Sequence, residues 1–353
     1  MDVISNFEQL EARLKEAQRA AAVSSDDFRK SLTSWRLSPS LIGEIPKDPF
    51  SPEYMAFQLD FYKRLAGQPY KVANEETVFD FDHVLKWPYP YGTKSARTVG
   101  THLIGYGWLI RTMNLPPGSR ILEIGSGFGA LTVHLAGMGY QVTCLDMSQS
   151  LLNLVKARTA HLPQPIDTIC GDMATADLEG PYDAVIFNAS LHHSLEHRTV
   201  IQRLDSILDP QGIVAFTAEP IVADNSDLIP YPWGIRLGGL GIWAICKEGW
   251  LELGFQESYF TQMLKGAGWT LKRANLGISG ETDVWIGRKA AQQGLISTSS
   301  SVVSGAARTS VVSEAARAYD VDPETEVIRL TNLLEAYEQG RFIRFMKWLK
   351  GFK

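Results

Sequence analysis

The sequence predicts an α/β fold built around one mostly parallel β-sheet, with helical segments before and after it. The first observation is a short apolar run, Ile121 to Ile124, that ends in three closely spaced glycines and leads into an apolar-periodic segment. The second is the next apolar run, Gln141 to Leu145, which ends in Asp146. Together they read as strand, tight turn, helix and strand within about 30 residues, the size of a βαβ unit. The third observation is that further short apolar runs alternate with helical segments as far as Arg288. Such units form parallel sheets, and their ligands bind at the carboxyl ends of the strands.

Length and composition describe a globular chain with one large domain and extensions. The chain has 353 residues, of which 45% are hydrophobic and 21% charged, and its net charge of −5 gives no indication of a nucleic-acid partner. No apolar run approaches the ~20 residues of a membrane-spanning helix. The first residues lack the basic and apolar regions of a signal peptide, so we expect a cytoplasmic location. Cys144 and Cys170 fall in predicted core strands and Cys246 in an aromatic segment, so we expect all three to be packing residues.

Residues 1–97 are predicted to form a helical and aromatic cap. Ile4, Phe7, Leu10 and Leu14 have helical spacing and predict an amphipathic helix over residues 2–20. Further helices are expected at residues 26–35 and 52–65, separated by a proline-rich stretch. Whether this extension covers a ligand or forms a dimer contact is left open. So is the role of the aromatic residues between 81 and 91, which suit either a substrate wall or a lid on the core.

Residues 98–289 are predicted to form the main domain. Its first helix, residues 98–113, is expected to bury Leu103, Tyr106, Ile110 and Met113. Five strands are expected in parallel, and the last two form an antiparallel pair; their ranges are 121–124, 141–145, 166–170, 182–188, 212–218, 269–276 and 282–288. The sheet therefore has seven strands, with the last one antiparallel. Residues 221–255 are too long for a plain connection and are interpreted as an insert.

The end of the chain differs in kind from the rest. Residues 290–320 contain a serine run and no element pattern, which predicts a flexible linker. Residues 321–353 are predicted to be an amphipathic helical tail whose end is both basic and aromatic. Such an end suits either peripheral contact with the inner face of an anionic membrane or docking on a partner protein. The sequence leaves both open, together with homo-oligomerisation.

Details of the glycine-rich turn bear on the kind of cofactor. A dinucleotide-binding turn places its third glycine three positions after the second and seats a pyrophosphate on the helix N-terminus. Here Gly129 follows Gly127 by only two positions, and a carboxylate, Glu123, stands just before the turn. A carboxylate repels a pyrophosphate but suits a ligand that carries a cation. This disfavours a nicotinamide-dependent oxidoreductase.

The run Glu-Ile-Gly-Ser-Gly-Phe-Gly with Asp146 after the next strand resembles the first motif of class I S-adenosylmethionine-dependent methyltransferases. The resemblance implies a Rossmann-like fold and S-adenosyl-L-methionine as cofactor. It places Glu123 near the amino-acid part of the cofactor, Asp146 at the ribose, and Asp172 and Met173 beside the adenine. The cofactor-binding positions implied by this resemblance are Glu123, Gly125, Ser126, Gly127, Gly129, Asp146, Met147, Asp172, Met173 and Asn188.

In this family the methyl-transfer centre follows the fourth strand, which here leads into Asn188-Ala-Ser-Leu-His-His. Amide methyltransferases of DNA or protein carry an Asn/Asp-Pro-Pro-Tyr motif there, so the sequence is closer to the small-molecule members. A hydroxyl acceptor must lose a proton, and a neutral imidazole is the usual side chain for that task. His192 and His193 are the candidates, with His192 slightly favoured; the alternative is that the pair caps a helix and packs in the core. A metal-assisted alternative would use Glu219, Asp224 and His193, but no metal motif is present, and the sequence predicts no metal site.

The preferred acceptor is a sugar or glycan hydroxyl in bacterial polysaccharide biosynthesis. Two aromatic segments suit stacking on sugars, and the stretch Tyr337 to Leu349 resembles the tails of enzymes of bacterial surface-polysaccharide assembly. A lipid or secondary metabolite is the alternative acceptor. A cofactor-binding scaffold without turnover is the alternative to an enzyme.

Overall fold

The computed structural model describes residues 1–86, 95–277 and 283–290. These described residues all belong to one compact unit. Its centre is a seven-stranded sheet whose strands are β3 (Arg120–Ile124), β4 (Gln141–Asp146), β5 (Asp167–Cys170), β6 (Tyr182–Asn188), β7 (Leu208–Thr217), β11 (Trp269–Asn275) and β12 (Asp283–Lys289). The spatial order is β11-β12-β7-β6-β3-β4-β5.

The strand directions confirm the predicted sheet. Strands β3 to β7 pair in parallel, and β12 pairs antiparallel with both β7 and β11. From β3 the chain continues through β4 to β5 towards one edge of the sheet, and from β6 it continues to β7 towards the other edge. The direction in which strands are added therefore reverses between the neighbours β3 and β6. In open α/β sheets this switch point is where the carboxyl ends of the strands leave room for a ligand.

Helices cover both faces of the sheet. They are α5 (Ala96–Met113), α6 (Ala130–Gly137), α7 (Gln149–Thr159), α8 (His197–Ile207) and α10 (Glu257–Gly266). Two separate clusters of buried apolar residues lie on the two faces. The sheet strands are therefore buried on both sides, which explains why their sequences read as continuous apolar runs.

The N-terminal cap begins with a strand where the sequence predicted a helix. Its elements are β1 (Asp2–Ile4), α1 (Phe7–Ala21), α2 (Ser25–Thr33), β2 (Trp35–Leu37), α3 (Pro52–Ala66) and α4 (Phe81–Lys86). Ile4 pairs with Leu37 in a short parallel ladder, and α1 starts only after Asn6, whose side chain accepts a hydrogen bond from the backbone N–H of Gln9. The prediction that Ile4 belongs to this helix was therefore wrong. Asn6 caps the N-terminus of the helix, and Ile4 lies before that cap.

The insert forms a small sheet that packs against the cap. It contains β8 (Ile221–Val222), β9 (Trp233–Ile235), α9 (Gly239–Trp243), a π-helix (Ala244–Glu248) and β10 (Leu253–Gln256). Gln58 of α3 is 1% exposed and binds the backbone of the insert at both ends of its amide, to Trp233 and Ile235. Cap and insert contribute to the same buried apolar cluster. They thus form one lobe above the sheet.

Two further expectations are corrected by the structure. Leu103 is 47% exposed, and Leu109 takes the buried position on α5. Cys170 is exposed rather than packed in the core, because it ends the edge strand β5. Residues 87–94, which include part of the aromatic segment, lie outside the described residues. So do residues 291–353, which hold almost all of the predicted linker and the whole of the predicted tail.

Within the described part of the chain, no helix combines the length and the apolar character needed to cross a membrane.

The stability of the fold is expected to decrease in acid because of His197, the buried first residue of α8. Its two ring nitrogens bond the Tyr259 hydroxyl at 2.8 Å and the Ser194 carbonyl at 3.2 Å, an arrangement that the neutral ring satisfies. Burial lowers the pKa of His197 to about 4. His197 therefore becomes protonated below about pH 6.5 in the unfolded chain but only near pH 4 in the folded chain. As the pH falls through this range, the difference lowers the free energy of unfolding by about 3 kcal/mol.

The free energy of unfolding should fall less steeply between pH 6.5 and pH 4 when His197 is replaced with Gln. The change in slope corresponds to the uptake of up to about one proton on unfolding. Urea unfolding at a series of pH values measures this slope. His161→Gln, at an exposed site, is the matched control and should leave the slope unchanged. An unaltered slope in the His197 variant would show that the buried ring is not the group that titrates.

Candidate active site

A cavity of about 750 Å³ lies at the carboxyl ends of the central strands. One side is formed by the glycine-rich turn and the residues that follow β4, β5 and β6. The other side is formed by the cap, through Arg29, Leu59, Tyr70, Lys71, Val72, Glu75 and Thr77, and by Trp250 of the insert. The cavity therefore lies between the sheet and the lobe formed by the cap and the insert.

The glycine-rich turn forms the floor of the cavity. Gly125, Gly127 and Gly129 all have positive φ angles, of 73°, 51° and 72°. A Cβ on Gly125 would lie 2.5 Å from Cβ of Ser190, and one on Gly129 would lie 2.7 Å from a methyl carbon of Val155. Around Gly127, in contrast, a Cβ would meet nothing within 4 Å. The outer two glycines thus permit close packing of the protein, whereas the middle one leaves room for a ligand.

Alanine substitutions should separate these two roles. Gly127→Ala is expected to fold with a cost of about 1–2 kcal/mol from its left-handed backbone, yet to weaken S-adenosylmethionine binding because its methyl group enters the cavity. Gly125→Ala is expected to cost more stability, since Ser190 must move and its hydroxyl donates to the carbonyl of Ile124 at 2.6 Å. Urea unfolding and calorimetric titration measure the two effects.

Gly118→Ala is the matched control, because Gly118 also has a positive φ and open space but lies in a turn away from the cavity. It should cost similar stability without changing cofactor affinity. Wild-type affinity in Gly127→Ala would contradict the proposed position of the ligand.

Asp146 connects the end of β4 to the glycine-rich turn. Its two carboxylate oxygens accept hydrogen bonds from the N–H groups of Gly127 at 2.8 Å and Ser148 at 2.9 Å. Burial raises the pKa of Asp146, and these N–H groups oppose the rise. The residue lines the cavity, as the ribose role requires.

Glu123 does not line the cavity. The residue is only 1% exposed, and its carboxyl group accepts a 2.6 Å hydrogen bond from the hydroxyl of Thr132 on α6. Burial raises the pKa of Glu123 to about 8. The carboxyl group therefore lies behind the turn and off the cavity wall, and its contact with the amino-acid part of a cofactor stays a prediction.

The other predicted cofactor positions fall mostly on the cavity wall. Of the ten positions, Glu123 and Gly129 lie off the wall, and the eight that lie on it are Gly125, Ser126, Gly127, Asp146, Met147, Asp172, Met173 and Asn188. Asp172 also accepts a hydrogen bond from the N–H of Ala174 at 2.6 Å, so it stabilises its own turn while facing the cavity.

The two histidines point to different surroundings. His193 lines the cavity, and its side chain is 25% exposed. His192 is absent from the cavity wall, and its side chain is 6% exposed. The sequence favoured His192 slightly, but only His193 can reach a ligand in the cavity as the chain is arranged.

Glu75 of the cap lies beside His193. Its Oε2 is 3.2 Å from Nδ1 of His193, and its Oε1 accepts a hydrogen bond from the N–H of Leu251 at 2.7 Å. The Tyr70 hydroxyl donates to the His193 carbonyl at 3.5 Å. Trp250 meets the His193 ring edge to face, with ring centroids 6.1 Å apart. These three neighbours were not predicted, because they lie far from His193 in the chain and carry no motif.

Another carboxylate, Glu219, fixes the backbone of the histidine turn. It accepts hydrogen bonds from the N–H groups of Ser190 at 2.8 Å, Leu191 at 2.9 Å and His192 at 3.2 Å, and its Oε2 is 2.8 Å from Nδ1 of His192. Burial alone would raise the pKa of Glu219, but His192 and these N–H groups outweigh it and lower the pKa.

Among the described residues, one set of potential metal ligands converges: His192, His193 and Glu252, whose ligand atoms lie within 4.8 Å of one another. Asp224, named in the metal-assisted alternative, is not in this set; it is exposed and accepts a hydrogen bond from the N–H of Ser258. Arg236 already contacts the carboxylate of Glu252.

Comparison with known proteins identifies the central part of the chain. A family model described as a methyltransferase domain matches residues 122–216. An uncharacterized methyltransferase of Mycobacterium tuberculosis is 35% identical over 114 residues, which cover 32% of this chain and 56% of the relative. The ubiquinone biosynthesis O-methyltransferase of Chromobacterium violaceum is 30% identical over 103 residues, which cover 28% of this chain and 44% of the relative. The chain spans about half the length of these curated relatives.

Among solved structures, the N-methyltransferase NodS from Bradyrhizobium japonicum, in complex with S-adenosyl-l-homocysteine, matches with a TM-score of 0.39. Its sequence identity is 17%, and the match covers 59% of this chain and 94% of that one.

Residues 122–216 are a methyltransferase domain, and the sheet that contains them has the fold of the class I S-adenosylmethionine-dependent family. The predicted family and the predicted cofactor, S-adenosyl-L-methionine, are thereby confirmed. The side chains fit that cofactor. Gly127 leaves open space at the floor, Asp146 offers a carboxylate for the ribose hydroxyls, and Asp172 and Met173 offer an acid and an apolar surface for the base.

Proposed function

We propose that this protein is an enzyme that transfers a methyl group from S-adenosylmethionine to a hydroxyl group of a small-molecule acceptor, with His193 as the general base. The observation that carries the proposal is the position of the His193 imidazole. It is on the wall of the same cavity as the glycine-rich turn, and it has a carboxylate, Glu75, at its Nδ1.

The cofactor would supply an electrophilic methyl group on a positively charged sulfur. The protein supplies the acceptor's orientation and a place for its proton. In this proposal Nδ1 of His193, which lies 3.2 Å from the Glu75 carboxylate, carries the resting proton, and Nε2 then has a lone pair for the hydroxyl proton. When Nε2 takes that proton, the carboxylate of Glu75 stabilises the imidazolium that forms. Positioning then supplies much of the remaining rate enhancement, because the acceptor and the cofactor are held in one cavity.

We further propose a sugar or glycan hydroxyl, of the kind used in bacterial polysaccharide biosynthesis, as the acceptor. The cap side of the cavity combines two aromatic side chains, Tyr70 and Trp250, with the carboxylate of Glu75. Aromatic faces pack on the C–H surfaces of sugars, while carboxylates accept hydrogen bonds from hydroxyl groups. An apolar lipid or a secondary metabolite remains the alternative, because aromatic walls also suit them.

The proposal is tested by incubating the protein with S-adenosylmethionine carrying a tritiated methyl group. The acceptors are methyl glycosides of common hexoses and deoxyhexoses, a long-chain alcohol, a catechol and a primary amine. We expect label on the glycosides, on oxygen, in the wild type and its loss in His193→Ala.

Each other result revises a defined part of the proposal. Label on the long-chain alcohol or the catechol alone would reject the sugar while retaining hydroxyl methylation. Label on the amine alone would reject the role of His193 as the base for a hydroxyl. Cofactor binding without transfer to any acceptor would favour the non-catalytic scaffold.

A further inference from the structure

A smaller pocket, the side pocket, adjoins the main cavity and has a volume of about 220 Å³. Two residues, Leu195 and Glu196, line both spaces. A pocket for a complete drug-sized ligand holds about 300–1,000 Å³, so the side pocket suits one further unit of a ligand that extends from the cavity. The lining residues that bear on its role are Phe50, Met55, Leu195, Glu196, Arg198 and Gln202.

The side pocket follows His193 along the wall of the main cavity. Residues 193–196 are consecutive and all line the main cavity, and the last two of them also line the side pocket. Helix α3 borders both spaces as well, because Leu59 lines the main cavity and Met55, one helical turn earlier, lines the side pocket. Four residues of a helix span about 6 Å, which is comparable with the length of one sugar ring. A ligand whose reacting hydroxyl lies at His193 can therefore place its next unit in the side pocket.

The polar side chains of the side pocket match the hydroxyl groups of a sugar. The guanidinium of Arg198 lies over the ring of Phe50, 4.6 Å from the ring centroid, and donates to the Phe50 carbonyl at 3.3 Å. Gln202 is exposed, and among the described residues its side-chain amide has no hydrogen-bond partner. The guanidinium donates, the carboxylate of Glu196 accepts and the amide does both. Together they can bind hydroxyl groups, which also donate and accept.

The same polar groups disfavour an apolar chain in the side pocket. An alkyl chain would remove water from Glu196 and Arg198 without replacing its hydrogen bonds, and burying polar groups without partners costs free energy. A sugar ring replaces those hydrogen bonds with its own hydroxyl groups. Of the alternative acceptors, the side pocket therefore favours the glycan over the lipid.

We propose that the side pocket is a second acceptor subsite, which binds the sugar unit next to the one that is methylated. The acceptor is then an oligosaccharide or glycan of at least two sugar units, not a monosaccharide. This proposal rests on the proposed function, because that function places the first unit at His193. Arg198 and Gln202 contribute to acceptor specificity and take no part in methyl transfer itself.

The preference for a second unit is measured by comparing the methyl glycosides of hexoses and deoxyhexoses with disaccharide glycosides built from the same sugars. We expect kcat/KM of the wild type to be about 10- to 100-fold higher for the best disaccharide than for the best monosaccharide. This is the effect of one hydrogen bond to a charged group such as Arg198.

Two variants should remove this preference. Gln202→Trp places a larger side chain in the side pocket and should bring the ratio of kcat/KM for disaccharide and monosaccharide close to one. Arg198→Met removes the charged donor and should lower the same ratio by about 10- to 100-fold.

Each variant has a matched control that should keep the wild-type ratio. Gln141→Trp changes an exposed glutamine at the start of β4, the opposite end of that strand from the main cavity. Arg111→Met removes a guanidinium that also lies over an aromatic ring, that of Trp108, but lines neither of the two spaces.

Sugar binding is measured separately by saturation-transfer NMR with the protein and S-adenosylhomocysteine, which requires no methyl transfer. Tighter binding of the disaccharide in the wild type, lost in Gln202→Trp and Arg198→Met, would support the subsite. If no label is transferred in that case, the proposed function alone fails. Equal affinities for monosaccharide and disaccharide, no sugar binding, or a disaccharide preference that either folded variant retains would overturn the subsite. Label on the monosaccharide would then still support the proposed function.

Discussion

Replacing His193 with alanine is expected to lower kcat for methyl transfer by about 10²- to 10⁴-fold, the usual contribution of a positioned general base. The affinity for S-adenosylmethionine should change little, because in the proposed mechanism His193 acts on the acceptor hydroxyl and not on the cofactor. Steady-state rates with the acceptor found in the labelling experiment, together with calorimetric titration of the cofactor, measure both quantities.

His161→Ala is the matched control for this substitution, since it removes an exposed imidazole from the surface and should leave kcat unchanged. A fall in kcat that disappears at high pH, where the acceptor hydroxyl ionises more readily, would support the loss of a base. An unchanged kcat in His193→Ala would contradict the mechanism proposed here.

Replacing Asp146 with alanine is expected to raise the dissociation constant for S-adenosylmethionine by about 10- to 100-fold. A hydrogen bond to a carboxylate contributes about 1.5–3 kcal/mol, and the expected range corresponds to the loss of one such bond to a ribose hydroxyl. It would also leave the N–H groups of Gly127 and Ser148 without the acceptor that orders the turn. Calorimetric titration gives the change in affinity.

Asp167→Ala is the control for this second substitution. Asp167 is an exposed carboxylate at the start of β5, the opposite end of the strand from the cavity. It should bind S-adenosylmethionine like the wild type. Equal affinities in Asp146→Ala and Asp167→Ala would show that the cofactor binds elsewhere.

The main sheet could be predicted because its signals are local. Each parallel strand is covered on both faces, so it appears as a short apolar run, and the glycines at the end of β3 mark the turn where the backbone needs positive φ angles. Residues that directly follow these strands must lie at one edge of the sheet. For this reason most of the predicted cofactor positions, such as Asp146 and Asp172, are found on the cavity wall.

The position of Glu123 could not be predicted in the same way. It is a residue of β3 itself, so its side chain points to one face of the sheet, and there it meets Thr132 of α6 instead of the cavity. Sequence motifs identify the strand and the turn. They do not say which face a strand residue takes when both faces are buried.

The roles of the two histidines could not be separated from the sequence because their partners are distant in the chain. His192 is buried by Glu219 and Glu252, whereas His193 is accompanied by Glu75, which comes from the cap. No local pattern connects these residues. The shared core of cap and insert brings them together, and that core depends on packing of residues such as Gln58 that carry no recognisable motif.

The most direct test of the account is calorimetric titration of the purified protein with S-adenosylmethionine, with NAD as the control ligand and Asp146→Ala as the control variant. We expect saturable binding of S-adenosylmethionine and none of NAD, with weaker binding of S-adenosylmethionine in the variant. Binding of NAD in its place, or binding of S-adenosylmethionine that Asp146→Ala leaves unchanged, would contradict the assignment of the cavity and every role derived from it.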